Sequence, residues 1–150
     1  IAAVKFADLS SYRMSGYVFD PERMVSFEGR TGPYVQYACV RIRSMMGRAE
    51  AQGRAAGTVQ VVAAVERSLA FECARFADVV ASAADLLAPN ELAEYAFQLA
   101  QAFNRFYLEC PVLAAQECVE QRSRLALGSL TGRILAKCLD LLGIEVPDRM

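Results

Sequence analysis

Between Thr31 and Arg48 polar and apolar positions alternate with the period of a helix. Val35, Cys39, Ile42 and Met46 recur at three- and four-residue steps. With about 3.6 residues per turn, that spacing places them on one stripe, which is expected to face a core. Thr31 precedes the stripe as a capping residue, and Pro33 stands in the first turn, where a missing N–H costs little. The helix is expected from Pro33 to about Gly47, with Ala51 as an alternative end. A second stripe, roughly 100° round, holds Tyr34, Tyr37, Arg41, Ser44 and Arg48. Rings alternate there with guanidinium groups. Rings offer a flat face to a nucleobase, and guanidinium forks bind phosphate or a base edge. The same residues also suit a solvated helix face with a few packed rings.

The helical period continues along the chain. Ile1 to Leu9 reads as a short apolar helix or helix end. Asp20-Pro21-Glu22 is a helix start, with a capping acid and a proline in the first turn, and Gly29 is expected to close that helix. Residues 52–57 read as a linker. Thr58 is expected to cap a helix running through Val61, Val65, Leu69 and Cys73, followed by another from Phe76 to Leu87. Pro89 opens the next, to about Glu109, on the stripe Leu92, Tyr95/Ala96, Leu99, Phe103 and Phe106. The last helix is expected from about Gln116 to Leu142, on Val119, Ala126, Leu130, Ile134, Cys138 and Leu141. Gly143 suits its left-handed cap, and Pro147 forbids resumption. No two-residue alternation of useful length occurs, so no sheet is expected. The fold class is all-α, a helical bundle.

Composition narrows the chemistry. The 150 residues are one domain's worth of chain, and 55% of them are hydrophobic. No apolar run approaches the roughly 18 residues of a membrane span. No leader segment is visible, and a chain that opens on Ile1 is expected to be a piece of something longer. The net charge is −1, which does not announce a nucleic-acid binder. Locally, Arg41, Arg43, Arg48 and Arg54 stand against Glu50 alone. That patch suits either a phosphate backbone or the negative end of a helix dipole.

Histidine is absent, which excludes Ser-His-Asp and Cys-His nucleophile systems. Cys39, Cys73, Cys110, Cys118 and Cys138 form no C-x-x-C pair, and their odd number argues against a disulfide framework. They read as small apolar residues of a reducing compartment, not metal ligands. Glu91 with Glu94, and Glu117 with Glu120 or Gln121, lie early in their helices, where acids favour the positive dipole end over general acid–base work. No Walker loop or G-x-G-x-x-G is present.

Tyr34-Val-Gln-Tyr-Ala-Cys-Val-Arg-Ile-Arg-Ser44 resembles the Y-x-Q-Y-A-x-x-R-I-x-S helix of arginyl-tRNA synthetases, which opens their helical anticodon-binding (DALR) domain. Upstream, residues 3–10 and 17–29 resemble the segment joining the catalytic core to that domain. Downstream, Leu99–Tyr107, Arg124–Leu127 and Leu141–Met150 resemble its later helices and its end. The blocks recur in family order over nearly the whole chain, which is far more specific than any one of them.

The resemblance implies a division into residues 1–30, the tail of a catalytic core with a connecting helix, and 31–150, a DALR-type bundle. It implies that Tyr37, Arg41, Tyr107 and Met150 hold the anticodon of tRNA(Arg). Tyr107 closes the F-x-x-F-Y block, and its place one step off the core stripe favours exposure. Tyr34, Arg30, Arg48 and Arg13 are weaker candidate contacts, and Tyr12 and Tyr17 are offered for the tRNA body. The loop 28–32 lies near tRNA in the family, but Arg30 replaces a small polar residue there. No catalytic residue and no metal ligand is expected. The HIGH-like and KMSKS-like signatures are missing, so ATP, with Mg, is expected only in a full-length arginine–tRNA ligase. This fragment alone should be inactive. The implied partners are tRNA(Arg) and the catalytic domain of the same chain, with no DNA and no membrane, in a monomeric cytoplasmic enzyme of translation. The alternative is a non-catalytic protein-interaction module of the same helical fold.

Overall fold

The structure, a computed structural model, describes residues 1–113 and 119–150. Within them the chain forms α1 (Ala2–Leu9), α2 (Pro21–Met24), α3 (Gly32–Ala51), α4 (Ala64–Ala74), α5 (Phe76–Asp85), α6 (Pro89–Glu109) and α7 (Val119–Leu141), with no strand among the described residues. The all-α expectation holds. The long helices α3, α6 and α7 pack on one another. α4 rests on α6 and α7, α5 rests on α6, and α1 rests on α3 and α6. Phe6 of α1 is fully buried in the same core as Val35, Met45, Leu99, Phe103, Leu125 and Leu135.

Local chemistry sets most boundaries. Thr31 Oγ1 accepts the Tyr34 N–H at 3.2 Å and caps α3, which continues to Ala51. At the other end of the chain, Gly143 takes φ +67°. The Gly143 N–H then donates to Asp140 O at 2.9 Å and the Ile144 N–H to Leu139 O at 2.8 Å. This is the glycine-capped stop expected there, and buried Ile144 folds back under it.

Four expectations need correction. The helix started by Asp20 forms, with the Arg23 N–H on Asp20 Oδ1 at 3.1 Å, but it ends at Met24, and Gly29 lies in the following loop. Only Met24 of that helix reaches the core, so no apolar stripe extends it. Thr58 does not cap a helix. Residues 57–62 are not helical and run beside α7, where the Gly57 N–H donates to Arg122 O at 2.9 Å and Gln60 exchanges two hydrogen bonds with Ser123 Oγ. α4 starts at Ala64, capped from within when Glu66 Oε2 accepts the Val62 and Ala63 N–H groups at 2.8 and 2.9 Å. On α3 the fully buried methionine is Met45, with Met46 only partly covered.

The largest difference concerns α7. Val119 and Leu141, expected in its core stripe, are 62% and 49% exposed. Ile134 and Cys138 of that stripe are buried as expected, and the buried face also takes in Leu125, Gly128, Thr131 and Leu135. α7 is covered by α3, α4 and α6, so its inner surface is broad and includes small and polar residues. Gly132 marks a close approach to α3. A Cβ there would stand 2.8 Å from Ile42 Cγ2, on a β-branched side chain that turns little. Gly132→Ala should therefore cost about 1–3 kcal/mol through overpacking, seen as a lower urea midpoint. The start expected at Gln116, and the roles given to Glu117 and Cys118, lie outside the described residues.

Cys39, Cys73, Cys110 and Cys138 are buried free thiols. Burial pushes the Cys39 and Cys138 thiols up to about 12, so they stay protonated and behave as apolar core residues. Among the described residues no group of His, Cys, Asp or Glu is placed to hold a metal ion. None of the described helices is long and apolar enough to cross a membrane.

Candidate nucleic-acid interface

α3 and α6 run side by side in the same direction. Their contacts advance in step: Arg30 on Glu94, Tyr34 on Phe97, Arg41 on Asn104, and Arg48 on Tyr107. At the middle of this seam the Arg41 guanidinium lies over two rings. Its Cζ is 4.6 Å from the Tyr37 centroid and 5.5 Å from the Tyr107 centroid. Arg41 Nη1 donates to Asn104 Oδ1 at 2.7 Å, and Asn104 Nδ2 donates to the Tyr34 hydroxyl at 2.9 Å. Arg48 Nη2 donates to the Tyr107 hydroxyl at 3.1 Å. Phe103 backs the Tyr107 ring at 5.9 Å, so the platform is joined to the core. Tyr37 is 38% exposed, while Tyr34, Arg41 and Tyr107 are half-buried.

Several surface arginines are spent on carboxylates, and the two at the middle of this seam are not. Arg30, Arg43, Arg75, Arg105 and Arg124 each pair with a carboxylate. Among the described residues Arg41 and Arg48 bond only neutral groups, an amide, a phenol and the Ser44 carbonyl. Their positive charge is therefore not neutralised by a bonded acid. Two cations interleaved with two exposed or half-exposed rings are the chemistry that could attract phosphate and stack bases.

A family model for the DALR anticodon binding domain matches residues 35–150. The chain belongs to the DALR anticodon binding domain family. Over 150 residues it is 50% identical to an arginine–tRNA ligase of Maricaulis maris, covering all of this chain and 26% of that protein. It is 48% identical to an arginine–tRNA ligase of Frankia casuarinae, again over its whole length, covering 25% of that protein. Its fold is similar to that of the Thermus thermophilus arginyl-tRNA synthetase, with a TM-score of 0.86 at 34% identity over 99% of this chain and 26% of that one. The chain thus spans about a quarter of the length of the curated relatives it matches.

Within this DALR domain the structure brings together Tyr34, Tyr37, Arg41, Arg48 and Tyr107. Tyr107 is more enclosed than its position beside the core stripe suggests, because Phe103 and the Arg41 guanidinium both lie against it. Arg30 sits at the far end of the same seam, 2.7 Å from Glu94. The Arg30 hydrogen bond holds the Glu94 carboxyl below its ordinary value, against the opposing effect of burial. Arg13 is elsewhere. Its Nη1 donates to the carbonyls of Leu86 and Leu87 at the end of α5, a contact that steadies a helix terminus.

Met150 lies outside the ring network. It is 48% exposed, and the chain end reaches α3 through other residues. Arg43 Nη1 bonds Asp148 Oδ1 at 2.8 Å, and Gln36 Nε2 donates to Glu145 O at 2.6 Å. Gln36 and Arg43 share a face roughly 100° round α3 from Tyr37. The glutamine of the Y-x-Q-Y motif is thus a tether for the carboxy-terminal segment.

Two residues of the seam were not singled out from the sequence. Asn104 joins Arg41 to Tyr34, and Phe27 places its ring 6.2 Å from that of Tyr37. The only sequence signal for Asn104 is its place on α6, three residues before Tyr107. Phe27 carried none, since it comes from a different element.

Proposed function

We propose that this chain is the anticodon-binding part of an arginine–tRNA ligase and that the α3–α6 seam grips the anticodon loop of tRNA(Arg). The observation that carries this reading is the Tyr37–Arg41–Tyr107 cluster, two rings and a guanidinium that no carboxylate neutralises, in a DALR anticodon binding domain. Unpaired bases of a loop are read by stacking on rings and guanidinium planes and by hydrogen bonds to their edges. Arg41 spends one donor on Asn104 and retains others for a base oxygen or a phosphate. Arg48 adds a second positive charge along the strand.

In this reading residues 1–30 are the tail of a catalytic core, and the longer protein supplies the ATP, Mg and arginine sites. The 150 residues contain no histidine and no nucleotide-binding loop, so they contribute grip and position, not chemistry. Holding the anticodon loop fixes where the far end of the tRNA sits, and that placement sets the rate of esterification at the distant site. Met150, at the exposed chain end, would offer a polarizable side chain for a base to lie against. The protein acts as a monomer in the cytoplasm.

Filter binding of a hairpin RNA carrying an arginine anticodon loop tests the reading. Affinity should fall linearly with salt on a double-logarithmic plot, with a slope of about −0.7 per phosphate neutralised. Tyr107→Ala should weaken binding by about 1–3 kcal/mol with the fold intact. A flat salt response together with unchanged affinity in folded Tyr107→Ala would overturn it.

A further inference from the structure

Phe27 prolongs the line of rings by one, and the grip described above does not use it. Its centroid is 6.2 Å from that of Tyr37 and the two planes meet at 79°. The residue is 56% exposed. Single exposed apolar residues are ordinary on protein surfaces, so exposure alone says little. What sets Phe27 apart is how it is held. The loop between α2 and α3 is fastened to itself and to the start of α3. Thr31 Oγ1 donates to Ser26 O at 2.6 Å, the Glu28 N–H donates to Ser26 Oγ at 3.0 Å, and the Thr31 N–H donates to Gly29 O at 3.0 Å. Thr31 is also the cap of the helix that carries Tyr37 and Arg41. The Phe27 ring is therefore presented on a braced loop, in register with the seam.

Two rings nearly at right angles cannot stack on the same base. A base lying flat on one meets the other edge-on, and a second flat surface takes a second base. A phenyl ring has no hydrogen-bonding group, so it adds affinity without choosing among bases. We propose that Phe27 is a second stacking surface, one that receives an unpaired nucleotide next to the one gripped at Tyr37, Arg41 and Tyr107. This rests on the reading of the seam as an RNA site. It extends the site from one nucleotide to two, the second recognised by its π face alone.

The test is a set of hairpin RNAs carrying an arginine anticodon loop, each abasic at a different loop position, titrated against the unmodified protein and the variants Phe27→Ala, Phe27→Leu, Phe27→Trp and Tyr107→Ala. On the intact hairpin Phe27→Ala should lose roughly fivefold to a hundredfold in affinity, the factor that one base contributes on one ring. Phe27→Leu, which keeps an apolar side chain but no flat face, should lose a similar factor, and Phe27→Trp should retain affinity. One abasic position should erase the effect of Phe27→Ala, and it should differ from the position that erases the effect of Tyr107→Ala. If Phe27→Leu binds as tightly as the unmodified protein while Tyr107→Ala is weakened, Phe27 is not a stacking surface and the seam reading stands. Phe27 is likewise excluded if its variants lose equally on every abasic hairpin. If Tyr107→Ala is also without effect, the seam reading fails and this proposal falls with it.

Discussion

Glu66→Ala should lower the folding stability by about 3–5 kcal/mol, the range for breaking one side of a buried ion pair. The Glu66 side chain is 3% exposed and that of Arg124 is 15% exposed, with Arg124 Nε 2.7 Å from Glu66 Oε1. The second carboxylate oxygen accepts the Val62 and Ala63 N–H groups. One residue thus fastens the 57–63 segment, the start of α4 and the flank of α7. Alanine would leave a half-buried guanidinium with only the more distant Glu120 carboxylate and the Pro111 carbonyl, and two backbone donors without their acceptor. With typical domains stable by about 5–15 kcal/mol, a loss of this size should be plain in a urea titration.

The pair also sets a pH dependence. Burial alone would raise the Glu66 carboxyl, but hydrogen bonds from Arg124 and from the Ala63 and Val62 backbones outweigh it and hold the group below its ordinary 4.5. A depressed acid binds fewer protons folded than unfolded, so its contribution is complete above the unfolded value and is lost as pH falls towards the folded one. Glu66→Gln keeps the shape and cannot titrate. The stability gap between the natural protein and Glu66→Gln should be full at neutral pH and narrow below about pH 4.5. A gap that stays constant down to pH 3 would contradict this account.

Arg41→Ala should weaken binding of the anticodon hairpin by about 2–4 kcal/mol, roughly 30- to 1000-fold. Two losses combine. A guanidinium lying against the face of a base contributes about 0.5–2 kcal/mol. A hydrogen bond from a charged donor contributes about 1.5–3 kcal/mol, and the two are not simply additive. Arg41→Lys should recover little, because an ammonium keeps the charge but neither the plane nor the fork. Asn104→Leu should act in the same direction with a smaller loss, about 0.5–1.5 kcal/mol, since it removes the anchor and leaves Arg41 in place. Binding by Arg41→Ala within twofold of the natural protein would remove Arg41 from the site.

The helices that one-sided patterning marks out, α3 and α6, were legible in their bounds and in most of their buried stripes. Their apolar residues repeat with the helix period, and their start signals, the Thr31 cap and Pro89 in the first turn, lie in the same stretch of chain. α7 was legible as a helix and in part of its inner stripe, Ile134 and Cys138, but not in the width of its buried face. Its buried face includes Gln121, Ser123, Gly128 and Thr131, and no hydropathy pattern assigns such residues to a core. The stretch after Thr58 read as helix because Val61 and Val65 are four apart. In the fold the backbone groups of Gly57 and Gln60 are satisfied by Arg122 and Ser123, more than sixty residues on.

The site divides in the same way. Tyr34, Tyr37, Arg41 and Arg48 lie on one helix, so the period alone places them together. By itself the sequence determined the all-helical class, the membership that its ordered motifs announce, and the ring-and-guanidinium stripe of α3, because each depends on residues a few positions apart. Only the tertiary structure decided which cations are spent and which remain. Arg30 and Arg43 look as available as Arg41 in the sequence, yet they close on Glu94 and Asp148, while Arg13 turns away from the seam to the carbonyls at the end of α5. It also brought Asn104 and Phe27 to the seam from other elements. The reason is physical: helical spacing is set by bonds along the chain, whereas the partner of a charge or a ring is whatever the packing of distant segments puts beside it.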